Sequence, residues 1–116
     1  MAGKPPSTRR RRANVVLREI VAETVGRELA DPRLGFVTIT DVEASPDLSV
    51  ATVYFTTLKE RQREPSMQAL ESAAGLLQGR IGKALGTRNT PKLRFVYDQQ
   101  QDVARRISRL IDEAGK

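Results

Sequence analysis

Apolar positions recur along the 116-residue chain with two different periods, and the changes of period mark its elements. Leu17, Ile20, Val21 and Val25 follow helical spacing and predict a first helix that begins between Thr8 and Asn14 and stops near Ala30. Asp31-Pro32 sets the stop, because proline disfavours helical geometry at the residue before it. Gly35 to Val42, rich in β-branched residues, reads as a strand. Ser45-Pro46-Asp47 has turn chemistry, and Leu48 to Thr57 is a second strand, with Val50, Thr52 and Tyr54 on one face and Ala51, Val53 and Phe55 on the other. These two strands form an antiparallel hairpin. A polar connection, Lys59 to Ser66, leads to a helix over Met67 to Leu85, with Pro65 well placed at its start. Leu70, Ala74, Leu77, Ile81, Ala84 and Leu85 share one face of that helix. Thr87 to Pro91 is a loop, and Lys92 to Asp98 a third strand in which Leu93, Phe95 and Tyr97 alternate. Val103, Ile107, Leu110 and Ile111 predict a last amphipathic helix ending near Ala114.

This pattern is that of an α+β fold in the order α-β-β-α-(kink)-α-β followed by a C-terminal helix, with one face of a three-stranded sheet packed against the helices. A helix pair separates the third strand from the second, so either edge of the hairpin is open to it. Residues 1–8, rich in Pro, Gly and Ser, are expected to be disordered. Residues 9–114 make a single domain.

Gly75, Gly79, Gly82 and Gly86 complicate the long helix. Each glycine costs up to about 1 kcal/mol against alanine in a helix interior. So many require a kink, a close backbone approach or an early end.

Composition changes the picture mainly by exclusion. Hydrophobic residues make up 39% of the chain, enough for one core, but aromatics only 4%. Phe36, Tyr54, Phe55, Phe95 and Tyr97 sit in strands beside aliphatics and are expected in that core. The chain has no cysteine and no histidine. Disulfides, thiolate metal sites and Ser–His or Cys–His nucleophilic pairs are therefore excluded. No catalytic residue, metal ligand or cofactor site is assigned. No apolar run approaches the roughly 20 residues of a membrane span, and no signal-peptide segment follows the basic start, so a soluble, cytoplasmic protein is expected.

The charge is unevenly placed. The net value is +6. Residues 1–12 contribute +5 with no acid, and residues 72–97 another +5 with no acid, while residues 13–71 carry −4. Two basic blocks on a neutral-to-acidic chain point to a polyanionic partner whose binding weakens with salt.

Several segments in combination resemble a known family. They are Leu29-Ala30-Asp31-Pro32-Arg33 with Thr38-Ile39-Thr40-Asp41-Val42; Ser45-Pro46-Asp47-Leu48 leading into Ala51-Thr52-Val53-Tyr54-Phe55; Ala73-Ala74-Gly75; Pro91-Lys92-Leu93-Arg94-Phe95 ending at Asp98; and Ile107-Ser108-Arg109-Leu110-Ile111. From about Arg12 to about Ile111 the chain closely resembles bacterial ribosome-binding factor A, of the type II KH fold. KH domains hold single-stranded RNA with a Gly-x-x-Gly loop. In this family an Ala-x-Gly kink replaces that loop, and Ala73-Ala74-Gly75 matches the replacement. Gly79-Arg80-Ile81-Gly82 also fits Gly-x-x-Gly, but it lies inside an apolar-periodic stretch and carries little weight. The resemblance implies binding to the free small ribosomal subunit and its rRNA late in assembly, assistance in rRNA maturation, and support of growth in the cold. It also brings an assembly GTPase into view as a partner.

Arg80, Lys83, Arg88 and Lys92 form the first RNA-contact candidate, since guanidinium groups clamp phosphates and lysines act as point charges. Arg9, Arg10, Arg11 and Arg12 form the second, as a flexible arm or the first turn of the first helix. Arg105, Arg106 and Arg109, partly balanced by Asp102, Asp112 and Glu113, read as a solvated helix face. Two other readings compete. One is a basic module that binds an acidic protein. The other is a nuclease built on scattered carboxylates such as Asp41, Asp47 and Asp98. A monomer is expected, since no long exposed apolar surface is predicted.

Overall fold

The computed structural model describes residues 8–99 and 107–111. Its elements run α1 (Thr8–Arg27), β1 (Val37–Ala44), β2 (Val50–Thr57), a 3-10 turn (Glu60–Gln62), α2 (Arg63–Ser72), α3 (Ala74–Leu85) and β3 (Lys92–Tyr97). A further helical turn covers 107–111. The expected α+β order is present. Residues 1–7 of the expected tail, and Val103 and Ala114 of the expected last helix, lie outside the described residues. Thr8, placed in that tail by composition, is the first residue of α1.

α1 buries Leu17, Val21 and Val25, three of the four residues that predicted it. It stops at Arg27, three residues before the expected end. Its last turn is closed by the Glu28 N–H, which donates to Thr24 O at 2.8 Å. Asp31 then organises the connection by accepting the Arg33 N–H at 2.9 Å.

β1 begins two residues later than expected and carries a bulge. Ile39 lies opposite Phe55 and Asp41 opposite Tyr54, which leaves Thr40 as the extra residue. The bulge breaks the strict alternation, so that Thr40, Asp41 and Val42 are buried consecutively. β2 has no such break. Ala51, Val53, Phe55 and Thr57 point inward in strict alternation. The sheet order is β1-β2-β3, with β1 antiparallel and β3 parallel to a central β2. Thus the β2 edge receives the third strand. The α2–α3 pair makes the crossover that a parallel neighbour needs.

The long helix is two helices. Ala73 closes α2 and opens α3 with φ −88° and ψ 0°. Its N–H is shared between Ala69 O at 3.0 Å and Leu70 O at 3.1 Å. α2 starts at Arg63 rather than Met67. Leu70, Leu77 and Ile81 are fully buried against the sheet and α1, whereas Ala84 and Leu85 are exposed in the last turn of α3. In the turn over 107–111, Ile107 and Ile111 are exposed and Leu110 is half-buried. No helix among the described residues is long and apolar enough to cross a membrane.

The aromatic expectation holds in part. Phe55 is fully buried, and Tyr97 meets it edge-on with ring centroids 5.5 Å apart. Tyr54 and Phe95 are half-buried. Phe36 is 78% exposed, because β1 starts after it and the ring precedes the sheet instead of lying within it.

Candidate nucleic-acid interface

The end of α3 and the loop behind it build a shallow hollow of about 500 Å³, walled by Lys83 and Arg88 and floored by Gly79, Gly82 and Gly86. Local chemistry fixes its shape. Gly86 ends α3 in the left-handed region at φ 65°, which a residue with a Cβ adopts only under strain. The Thr87 N–H then turns back to Gly82 O at 3.1 Å. Thr87 Oγ1 accepts the Asn89 N–H at 3.2 Å, and Gln78 Nε2 donates to Pro91 O at 3.1 Å. These bonds tie the loop carrying Arg88 to the helix carrying Lys83. Gly82 has a packing reason to be glycine, since a Cβ there would meet Thr87 O and Thr90 Cγ2 at 3.0 Å. Nothing lies within 4 Å of the Cβ position at Gly79.

The four cations expected to act together are not all in one place. Lys83 and Arg88 share the hollow. Lys92, the first residue of β3, lines a neighbouring depression with Glu71, Ala74 and Arg94. Arg80 is engaged elsewhere. Its Nε donates to Glu28 Oε2 at 2.9 Å and Oε1 at 3.1 Å, and its Nη2 donates to Glu28 Oε1 at 2.5 Å. The grip of Arg80 holds the Glu28 carboxyl below its usual range, with Lys83 adding a smaller pull, and Glu28 in turn raises the Arg80 guanidinium. The basic block therefore does have a compensating acid, supplied from the end of α1 and 52 positions away in sequence.

The N-terminal arginines lie in the first turns of α1, in a helix that has no acid in its first turn. Arg9, Arg11 and Arg12 are exposed. Arg10 is fixed: its Nε donates to Ala44 O at 2.9 Å, and the neighbouring Asn14 Oδ1 accepts the Ala44 N–H at 2.8 Å. Helix rise separates Arg11 from Glu28 by roughly 25 Å, so the two basic groups stand at opposite ends of α1.

Arg109 departs from the expected solvated face. It is paired with Asp41 and, at 2.9 Å, with Glu43 Oε1, both on β1. Arg105 and Arg106 lie outside the described residues. Of the carboxylates weighed for a nuclease, Asp41 is thus engaged by Arg109. Asp98 accepts a hydrogen bond from Thr40 Oγ1 at 2.6 Å. Asp47 accepts from the Ser45 and Ser49 hydroxyls, which hold its carboxyl down at about 2. Among the described residues no group of three acids is placed to hold a metal ion.

Sequence reading missed Glu28, whose importance is visible only from its partner, and Arg94, exposed beside Lys92. The alternation of Leu93 and Phe95 already turned Arg94 outward.

Comparison with known proteins adds to this geometry. The chain is 50% identical over 107 residues to ribosome-binding factor A of Frankia casuarinae, a match covering 91% of this chain and 64% of that relative. The chain thus spans just under two thirds of that relative's length. The solution NMR structure of a Thermotoga maritima protein assigned as a ribosome binding factor A is similar, with a TM-score of 0.73 and 31% identity over 84% of this chain and 94% of that one. A homology model of the Thermus thermophilus ribosome binding factor A, fitted into the cryo-EM map of a 30S complex, is similar with a TM-score of 0.61 and 31% identity, covering 72% and 88% of the two chains. The Ribosome-binding factor A profile matches residues 9–111, and the chain belongs to that family.

Proposed function

We propose that this chain binds the small ribosomal subunit through its rRNA, assists late assembly of the subunit and maturation of that RNA, including in the cold, and does so by binding rather than catalysis. The observation that carries the reading is the fixed, glycine-floored hollow between Lys83 and Arg88 in a chain of this family. The Thermus relative's placement in the map of a 30S complex supports the same partner. Phosphate contacts of this kind position a protein on folded RNA without reading sequence. Arg9, Arg11 and Arg12, at the far end of α1, are a second foothold, and Lys92 extends the first. The protein acts as a cytoplasmic monomer, with an assembly GTPase as a further partner.

The test is co-sedimentation of the protein with small subunits across a salt series. Lys83→Glu with Arg88→Glu is expected to weaken binding by about tenfold or more and to flatten the salt dependence, because two charge-assisted contacts are lost. Full affinity in a folded double mutant overturns the assigned surface. Arg80→Glu is unsuitable for this test, since it sets two carboxylates against each other at Glu28.

A second reading has one observation in its favour. Phe36 and Leu58 are 78% and 72% exposed and adjacent, the Leu58 N–H donating to Phe36 O at 3.1 Å. Such a pair suits a protein contact. A complex that survives digestion of RNA favours a protein partner.

A further inference from the structure

We propose that Glu28 is a specificity-determining residue, an internal carboxylate that occupies the phosphate-clamping edge of Arg80 and yields it only to an RNA already seated on Lys83 and Arg88. The inference rests on the reading of the α3 hollow as an RNA interface.

The geometry is that of a stand-in ligand. The Nε and Nη2 of Arg80 form the fork that grips a phosphate in bidentate fashion, and both donors are taken up by the two oxygens of Glu28 at 2.5–3.1 Å. The pair faces water, with side chains 43% and 37% exposed. An exposed pair has little net free energy to lose, so a phosphate can take the place of the carboxylate. The Arg109–Asp41 pair is different, because there the carboxylate side chain is only 4% exposed. Glu28 is nevertheless well aimed. Its backbone closes the last turn of α1 through Thr24 O, and its carboxylate reaches across to α3 one turn before Lys83. Like any glutamate it is ionised at neutral pH, and Arg80 holds its pKa further below the usual value.

The consequence is a threshold. A flexible single strand touching one or two cations gains nothing from Arg80, whose charge is already met inside the protein. A rigid RNA surface lying across Lys83 and Arg88 brings a phosphate to Arg80 at high effective concentration, and there the exchange is favourable. Glu28 thereby suppresses attraction to generic polyanions more than attraction to the docked target.

The experiment measures binding of the full chain to poly(U) and to small subunits over a salt series, for the wild type, Glu28→Gln, Arg80→Ala, the Glu28→Gln/Arg80→Ala double variant and Lys83→Glu/Arg88→Glu. Glu28→Gln is expected to bind poly(U) several-fold more tightly. Its log K against log salt slope steepens by about 0.7, the value for one added phosphate contact on a single strand. Arg80→Ala, which leaves the Glu28 carboxylate bare near Lys83, binds poly(U) no better than the wild type, and the double variant loses the gain of Glu28→Gln. The ratio of subunit to poly(U) affinity falls in Glu28→Gln. Glu28→Ala serves as the second variant if the glutamine protein folds poorly. Unchanged or weaker poly(U) binding in a folded Glu28 variant overturns the proposal and leaves the interface reading standing if Lys83→Glu/Arg88→Glu still loses subunit affinity. Full subunit affinity in that charge-reversal variant overturns both.

Discussion

Arg109 closes an ion pair with Asp41, joining the helical turn over 107–111 to β1 across 68 positions of sequence. Asp41 is almost wholly buried, 3% exposed, beside the β1 bulge, and its other oxygen accepts the Val42 N–H at 2.9 Å. Taking a charged partner from a buried carboxylate costs more than breaking an exposed pair. Arg109→Ala is expected to lower unfolding free energy by about 2 kcal/mol, read from urea denaturation. A change under about 0.5 kcal/mol, the range of an ordinary surface substitution, would show that the pair holds nothing.

Two glycines three residues apart on α3 should respond to alanine with opposite signs. Gly79 is exposed in mid-helix with open space around it, so alanine should stabilise by about 0.5–1 kcal/mol through helix propensity. At Gly82 the added methyl meets Thr87 O at 3.0 Å. The Thr87 N–H is tied to Gly82 O, which prevents the loop from retreating, so alanine should destabilise. Thermal unfolding of the two single variants decides it, and shifts of the same sign refute the packing account.

Acid sensitivity follows from Asp31 and Asp47. Arg33 holds Asp31 at about 2 through its guanidinium and its backbone N–H; the Ser49 and Ser45 hydroxyls and the Ser49 N–H hold Asp47 at about 2. Their unfolded values are near 4. A carboxylate whose pKa is depressed in the folded state stabilises fully above the unfolded value, and that contribution disappears as pH falls through the folded one. Stability should decline between about pH 4 and pH 2, more gently in Asp47→Asn than in the wild type. Equal slopes in denaturation midpoints over that window count against the Ser45–Asp47–Ser49 turn as a source of stability.

Periodicity made the helices and the hairpin legible because each depends on neighbours a few residues apart. Leu17, Val21 and Val25 announce the buried face of α1, and Ala51, Val53 and Phe55 that of β2. What stayed hidden is non-local or depends on a single extra residue. The Thr40 bulge leaves no mark in an alternating β-branched run. The choice of the β2 edge by β3 is made by the α2–α3 crossover. Arg80–Glu28 and Arg109–Asp41 join residues whose charges look locally unopposed or differently balanced. Phe36 misled because its residue type favours burial, while its position one residue before β1 leaves it outside the core.

The parallel pairing of β3 also dictates an order of assembly. β1 and β2 meet through a short turn, but Val50 finds Lys92 only after the whole α2–α3 segment has been made. Contacts between distant positions form late, because closing the long intervening loop costs entropy before pairing repays it. As the chain is synthesised, α1 and both hairpin strands have been made while the β2 edge still lacks its partner, and the sheet is closed only when Tyr97 has emerged. A nascent chain halted before that residue exposes a naked strand edge to every neighbour.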